Sequence, residues 1–149
     1  MTKQVVTRAG HGGSSPGAVY KGIRESDLTL QVDNEFAKAL ERKYTGYKLE
    51  RVRTGNVYIA LSENGKVAKR VNAHCYGEWH FNAGGGNGVE VYIHNTNATN
   101  DDRELAELAL KAIHNVNKRY GVPNNRGLKR ANLDRKSTRL NSSHTVISY

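Results

Sequence analysis

Hydrophobic and polar positions along the chain follow two periods, near two and near 3.6, and these divide it into strands and helices. Val5-Val6-Thr7 is a short apolar run leading into the Gly-rich stretch Gly10-His11-Gly12-Gly13, as a strand leads into a turn. From Glu25 to Lys43, Leu28, Val32, Phe36, Ala39 and Leu40 recur at spacings of three and four, which predicts a helix with one apolar stripe. Tyr44-Thr45-Gly46 closes that helix, and Tyr47 to Arg53 alternates as a half-exposed strand does. Val57-Tyr58-Ile59-Ala60-Leu61 fits either a short strand or the approach to a helix. His74 to Phe81 predicts a central strand. Gly88 opens another, with Val89, Val91 and Ile93 on one face and Glu90, Tyr92 and His94 on the other, His94 being expected at the surface. Leu105, Leu108, Ala109, Ala112, Ile113 and Val116 form the stripe of a last helix that ends near Tyr120-Gly121. Asn100 or Asp101 is its expected cap, with Glu104 completing a capping box after Asp101.

A chain of 149 residues fits one domain with a modest core. Hydrophobic residues at 37% and charged residues at 25% exclude wholesale disorder. No apolar run approaches the roughly 20 residues of a membrane span. Met1 to Val6 has no signal-peptide core, so synthesis in the cytoplasm without a leader is expected. The single cysteine, Cys75, makes no internal disulfide and reads as a small buried residue on a strand. A net charge of +9 suits attraction to a polyanion, either nucleic acid or the polyanionic wall of Gram-positive cells. Lys and Arg are spread along the chain with no tight cluster and no nucleic-acid motif, so charge alone chooses neither.

The candidate chemistry lies at strand ends. His11 stands at the carboxyl end of the first strand, on a turn whose glycines leave it open, and open sheets carry their sites there. Glu25 falls in the first turn of the first helix, where the helix dipole favours any carboxylate, so a plain helix acid is one reading of it. His80 ends the central strand, just before Asn82-Ala83 and the run Gly84-Gly85-Gly86-Asn87-Gly88; alone it reads equally as a core histidine. His74 lies about 20 Å away at strand rise and is excluded as a ligand of the same ion. Imidazole, carboxylate and imidazole are three ligands suited to zinc, and they leave a fourth tetrahedral position to a water. The loop from His11 to Gly22 lacks the Gly-x-x-x-x-Gly-Lys-Ser/Thr pattern of a phosphate cradle.

Taken in order, His11-Gly12-Gly13, Gly17-Ala18, Gly22, Glu25, Asp27-Leu28, His80-Phe81-Asn82-Ala83, Gly88-Val89-Glu90-Val91-Tyr92 and Arg126-Gly127-Leu128-Lys129 resemble the zinc-dependent N-acetylmuramoyl-L-alanine amidases. This is the cell-wall amidase family shared by bacterial autolysins and phage endolysins, and the likeness runs from about Val5 to Leu133. The resemblance implies that His11, Glu25 and His80 hold Zn2+ and that Asn82 positions substrate. The implied reaction is hydrolysis of the amide between the lactyl group of N-acetylmuramic acid and L-alanine of peptidoglycan. It further implies an α/β fold, a mixed, mostly parallel twisted sheet with helices on both faces, and a helix carrying Val67, Ala68 and Val71 on the segment up to Ala73. A chain without a leader fits a phage or prophage endolysin, or a mother-cell lytic enzyme, better than a secreted autolysin.

The sequence departs from the family in two places. Asp134 to Tyr149 has no family counterpart and resembles translated sequencing-adapter read-through, so the expected domain is 1–133, followed by a tail at 134–149 and lacking the family's last strand. In the family that strand bears the glutamate that assists the water; it has no counterpart here, and Glu90 is the weak substitute. Arg8 stands where many relatives carry an acid able to orient a ligand histidine, a hydrogen bond Arg8 cannot accept. Peptidoglycan is the expected partner of a monomer, with no nucleic acid and no membrane span. A non-catalytic, zinc-containing peptidoglycan-binding module and a basic nucleic-acid-binding domain with incidental histidines are the alternatives.

Overall fold

A computed structural model describes residues 2–82, 87–132 and 144–148, the last five as backbone. The elements in chain order are β1 (Lys3–Ala9), β2 (Val19–Tyr20), β3 (Ile23–Arg24), α1 (Glu25–Lys43), β4 (Tyr47–Arg51), α2 (Leu61–Arg70), β5 (Cys75–His80), β6 (Val89–His94), α3 (Asn100–Arg119), β7 (Asn125–Ala131) and β8 (His144–Ser148). Six strands form one sheet in the order β4-β1-β5-β8-β6-β7, and β2 and β3 make a separate antiparallel hairpin. Within the sheet, β1 is parallel to β4 and β5, β5 to β8, and β6 to β7, while β6 and β8 run antiparallel. The sheet is thus mixed and mostly parallel, the arrangement expected of the α/β class.

β8 belongs to the segment set apart by its composition. It lies between β5 and β6, with Ser148 level with both His80 and Glu90. Composition does not announce such a strand, because its place is defined by backbone pairing on both sides rather than by an amphipathic pattern of its own.

Alternation along β1 and β5 sorts their side chains between two layers. Val6 and Tyr76 pack with Ala68 of α2 on one face, flanked by Val67, Val71 and Ala73. Trp79, Val89, Val91 and Ile93 pack with Ala106 and Leu110 of α3 on the other, where Val32 and Phe36 of α1 join them. The helix expected up to Ala73 is α2. It begins at Leu61, and 57–60 is irregular, neither strand nor helix.

Both long helices form near their expected bounds but dock differently from their apolar stripes. In α1 the fully buried line is Ser26, Thr29, Asp33 and Ala37, while Leu28, Val32, Phe36, Ala39 and Leu40 are only half-buried. The reason is a polar seam beneath the helix. The Thr29 hydroxyl donates to the Gly10 carbonyl at 2.7 Å, and Asp33 accepts from the Trp79 indole at 3.0 Å and from Arg51 at 2.7 Å. In α3 the sheet-facing line is Asp102, Ala106, Ala109, Leu110 and Ile113, whereas Leu105, Leu108 and Val116 are exposed. Its cap is Thr99, not Asn100 or Asp101, and Asp102 completes the capping box in place of Glu104. His94, expected at the surface, is buried at the end of β6, where its Nδ1 accepts from the amides of Thr96 and Asn97.

Candidate metal centre

β1 and β5 are neighbouring parallel strands in which Ala9 is level with Trp79, so Gly10-His11 and His80 leave the sheet side by side at its carboxyl edge. The Gly10 amide donates to the Trp79 carbonyl at 2.9 Å and continues the ladder by one residue. Gly10 must lack a side chain: a Cβ there would lie 2.5 Å from Cε1 of His80. His11 then turns out of the strand with φ 62°, a left-handed conformation uncommon for a residue with a side chain and often found at functional sites. The following loop folds back through an isolated bridge between Gly12 and Ser15 and reaches the start of α1, where the Glu25 amide donates to Ala18 and the Ser26 amide to Pro16. Gly17, at φ 70°, closes this loop over the site; a Cβ there would meet Oε2 of Glu25 at 2.6 Å.

Glu25 sits between the two histidines. Its Oε1 lies 3.0 Å from Nδ1 of His80 and its Oε2 3.3 Å from Nε2 of His11, while the carboxylate is only 5% exposed. The imidazole rings are edge to face with centroids 5.0 Å apart. One donor atom from each of His11, Glu25 and His80 lies within 4.8 Å of the others, so the three residues singled out from the sequence converge. Ligands of a tetrahedral zinc lie roughly 3.3 Å apart, so this donor set fits that ion with small adjustments.

Burial opposes the charge of Glu25, but hydrogen bonds from His80 and from the amides of Ala18 and Phe81 outweigh it and hold the pKa at about 2. Burial also works against protonated His80, yet the carboxylates of Glu25 and Glu78 raise it to about 9. His11 is pushed below its ordinary value by burial, against the pull of Glu25, and keeps a lone pair free at neutral pH.

Two supporting residues carry no sequence signal strong enough to single them out. Arg53 is buried and staples the end of β1 to the start of α1, donating to the carbonyls of Ala9, Gly10 and Ser26 at 2.8, 2.9 and 2.7 Å. Glu78 is two residues before His80 on the same face of β5 and accepts at 3.0 Å from Nε2 of that ring; its place two before a ligand candidate is the signal that could have found it. Arg8 pairs with Glu78 at 3.3 Å. Glu90 has other partners: it is buried in ion pairs with Arg126, at 3.2 Å, and Lys129. These cations hold its pKa below the ordinary carboxylate value despite the opposing effect of burial. Asn82 is half-buried next to Phe81, whose amide donates to Glu25 at 2.9 Å. A cleft of about 180 Å³ opens beside the histidines, lined by Ser15, Tyr58, Ile59 and Leu61 above Arg8 and Glu78.

Fold and site together define an α/β protein with a His-Glu-His corner at the carboxyl edge of its sheet. The sequence profile of the N-acetylmuramoyl-L-alanine amidases matches residues 5–147, and the chain belongs to that family. It is similar to an endolysin of Bacillus phage SPP1, with 31% identity over 135 residues, 89% of this chain and 49% of the endolysin. It is also similar to a sporulation-specific N-acetylmuramoyl-L-alanine amidase of Bacillus subtilis, with 39% identity over 85 residues, 57% of this chain and 33% of the relative. The chain therefore spans between a third and a half of the length of these relatives. Among solved structures, an N-acetylmuramoyl-L-alanine amidase of Clostridium difficile 630 superposes with a TM-score of 0.82 at 26% identity, covering 98% of this chain and 78% of that one.

Proposed function

We propose that this chain carries the catalytic domain of a zinc-dependent amidase that hydrolyses the bond between N-acetylmuramic acid and L-alanine in peptidoglycan. The observation that supports this most is the convergence of His11, Glu25 and His80 within 4.8 Å in a chain of the amidase family. Bound by these three residues, Zn2+ would supply Lewis acidity toward an amide carbonyl and a water of lowered pKa. The residues prepare that role. Glu25 offers a charged carboxylate, His11 offers Nε2 while the Ser15 hydroxyl sits 3.1 Å from its Nδ1, and His80 offers Nδ1. Asn82, next in line after the strand, suits the amide groups of a stem peptide. The exposed faces of Tyr58 and Leu61 give the cleft an apolar wall against which glycan or peptide can lie. A net charge of +9 favours approach to a polyanionic wall, and among the described residues no helix is long and apolar enough to cross a membrane.

A second reading, a zinc-containing module that binds peptidoglycan without cutting it, draws on one specific observation. Near the site Glu78 and Glu90 are held in ion pairs, so neither of these two carboxylates is free to move protons, and the sequence from 134 to 149 contains Asp134 as its single acid. The test is zinc bound per full-length chain, measured alongside release of new L-alanine amino termini from purified cell walls. Stoichiometric zinc with release supports the amidase, zinc and wall binding without release supports the module, and a folded chain that takes no zinc overturns both.

A further inference from the structure

We propose that Glu78 is a positioning residue for the metal site, and that Arg8 locks it in place. This rests on the metal reading above and concerns which nitrogen of His80 faces the ion. The His80 ring lies between two carboxylates, with Nδ1 3.0 Å from Glu25 and Nε2 3.0 Å from Glu78. Nδ1 is the nitrogen beside Glu25, whose other carboxylate oxygen lies 3.3 Å from Nε2 of His11. A histidine that binds a cation through one nitrogen carries its proton on the other, and a carboxylate accepting that proton fixes both tautomer and ring plane. Glu78 stands where that acceptor is needed.

The surroundings of Glu78 hold both of its carboxylate oxygens. Its Oε2 accepts from the Tyr76 hydroxyl at 3.0 Å and from the Asn64 amide at 3.4 Å, while Oε1 faces both His80 and Nη1 of Arg8 at 3.3 Å. Arg8 is anchored in turn, donating through Nη2 to the Ile59 carbonyl at 3.0 Å. Arg8 and Glu78 are level on adjacent strands, so the pair is set by the β1–β5 register itself. Both side chains are under one-tenth exposed. A buried arginine paired with a buried carboxylate costs more in desolvation than an apolar pair of similar size, which makes a stabilising role a poor account of it. Holding His80 accounts for its place. The other histidine shows the contrast: Nδ1 of His11 faces a neutral hydroxyl, that of Ser15, at 3.1 Å.

The test uses the full chain, with zinc as the probe. Long-range ¹H–¹⁵N NMR of the zinc-loaded wild type should show His80 with Nδ1 on the metal and a proton on Nε2; metal on Nε2 would overturn the proposal without any substitution. In a chelator competition, Glu78→Ala should weaken zinc roughly 10- to 100-fold, and Glu78→Gln, which keeps an acceptor oxygen, should recover most of that loss. Arg8→Met should weaken zinc in the wild-type background and have no further effect in Glu78→Ala. Equal zinc affinity in Glu78→Ala and wild type overturns the positioning role while leaving the metal reading intact; a wild-type chain that takes no zinc removes both.

Discussion

Glu25 is a charged group in a nearly closed corner, and what surrounds it is donors: two imidazoles and two backbone amides. Replacing it with Ala should lower zinc affinity by more than the roughly 10- to 100-fold typical of residues one step removed from a metal. Competition with a chromogenic chelator measures this, and unchanged affinity would remove Glu25 from the ligand set. Cys75 shows the opposite electrostatics. Burial, helped by Asp102, pushes its thiol up to about 11, so the thiolate is scarce at neutral pH. Alkylation of the native chain at pH 8 should therefore be on the order of a hundredfold slower than for a free thiol and should speed up about tenfold per pH unit toward 11; denaturant should abolish the difference. At this scale the sequence was informative where a residue type meets a local cue. His11 in its glycine turn, Glu25 at a helix start and His80 at a strand end all carry such cues. The pairing of Glu78 with Arg8 carries none, because it depends on the register between two strands more than sixty residues apart, which no local pattern encodes.

Both long helices are legible as helices and in part misread as surfaces, whereas α2 packs through the expected Val67, Ala68 and Val71. The spacing of Leu28, Val32 and Phe36 predicts α1 well, yet its innermost positions are Thr29 and Asp33, because the end of β1 and the Trp79 indole offer hydrogen bonds that an apolar side chain could not meet. Asp33→Ala should leave the Arg51 guanidinium and the Trp79 N–H without their buried acceptor, at a cost on the order of 3 kcal/mol in urea denaturation. A loss near zero would mean that α1 is held by Val32 and Phe36 alone. In α3 two lines of apolar residues compete for the sheet, and Ala106, Ala109, Leu110 and Ile113 dock while Leu105, Leu108 and Val116 stay exposed. Ala106 allows close approach where Leu105 and Leu108 would not.

At the scale of the whole molecule, the layered α/β arrangement was implied by the family resemblance and agrees with the strand and helix patterns, whereas the strand order could not be read from them. β8 joins β5 to β6, which share no ladder without it. A chain cut after Leu133 should lose cooperative thermal unfolding, since the cut leaves two strand groups with bare edges in place of one sheet; a sharp transition equal to that of the full chain would show that β8 is dispensable. The same placement governs how the molecule comes together. β4, β1 and β5 can associate early, as can β6 and β7, but the two groups meet only when a strand far along the chain finds the gap between them. Folding should then proceed in two phases, with the second slow because β8 must pair along both of its edges at once. In the interval between them, the facing edges of β5 and β6 are open to a strand from any neighbouring chain, so the protein is most exposed to aggregation after most of its secondary structure has formed.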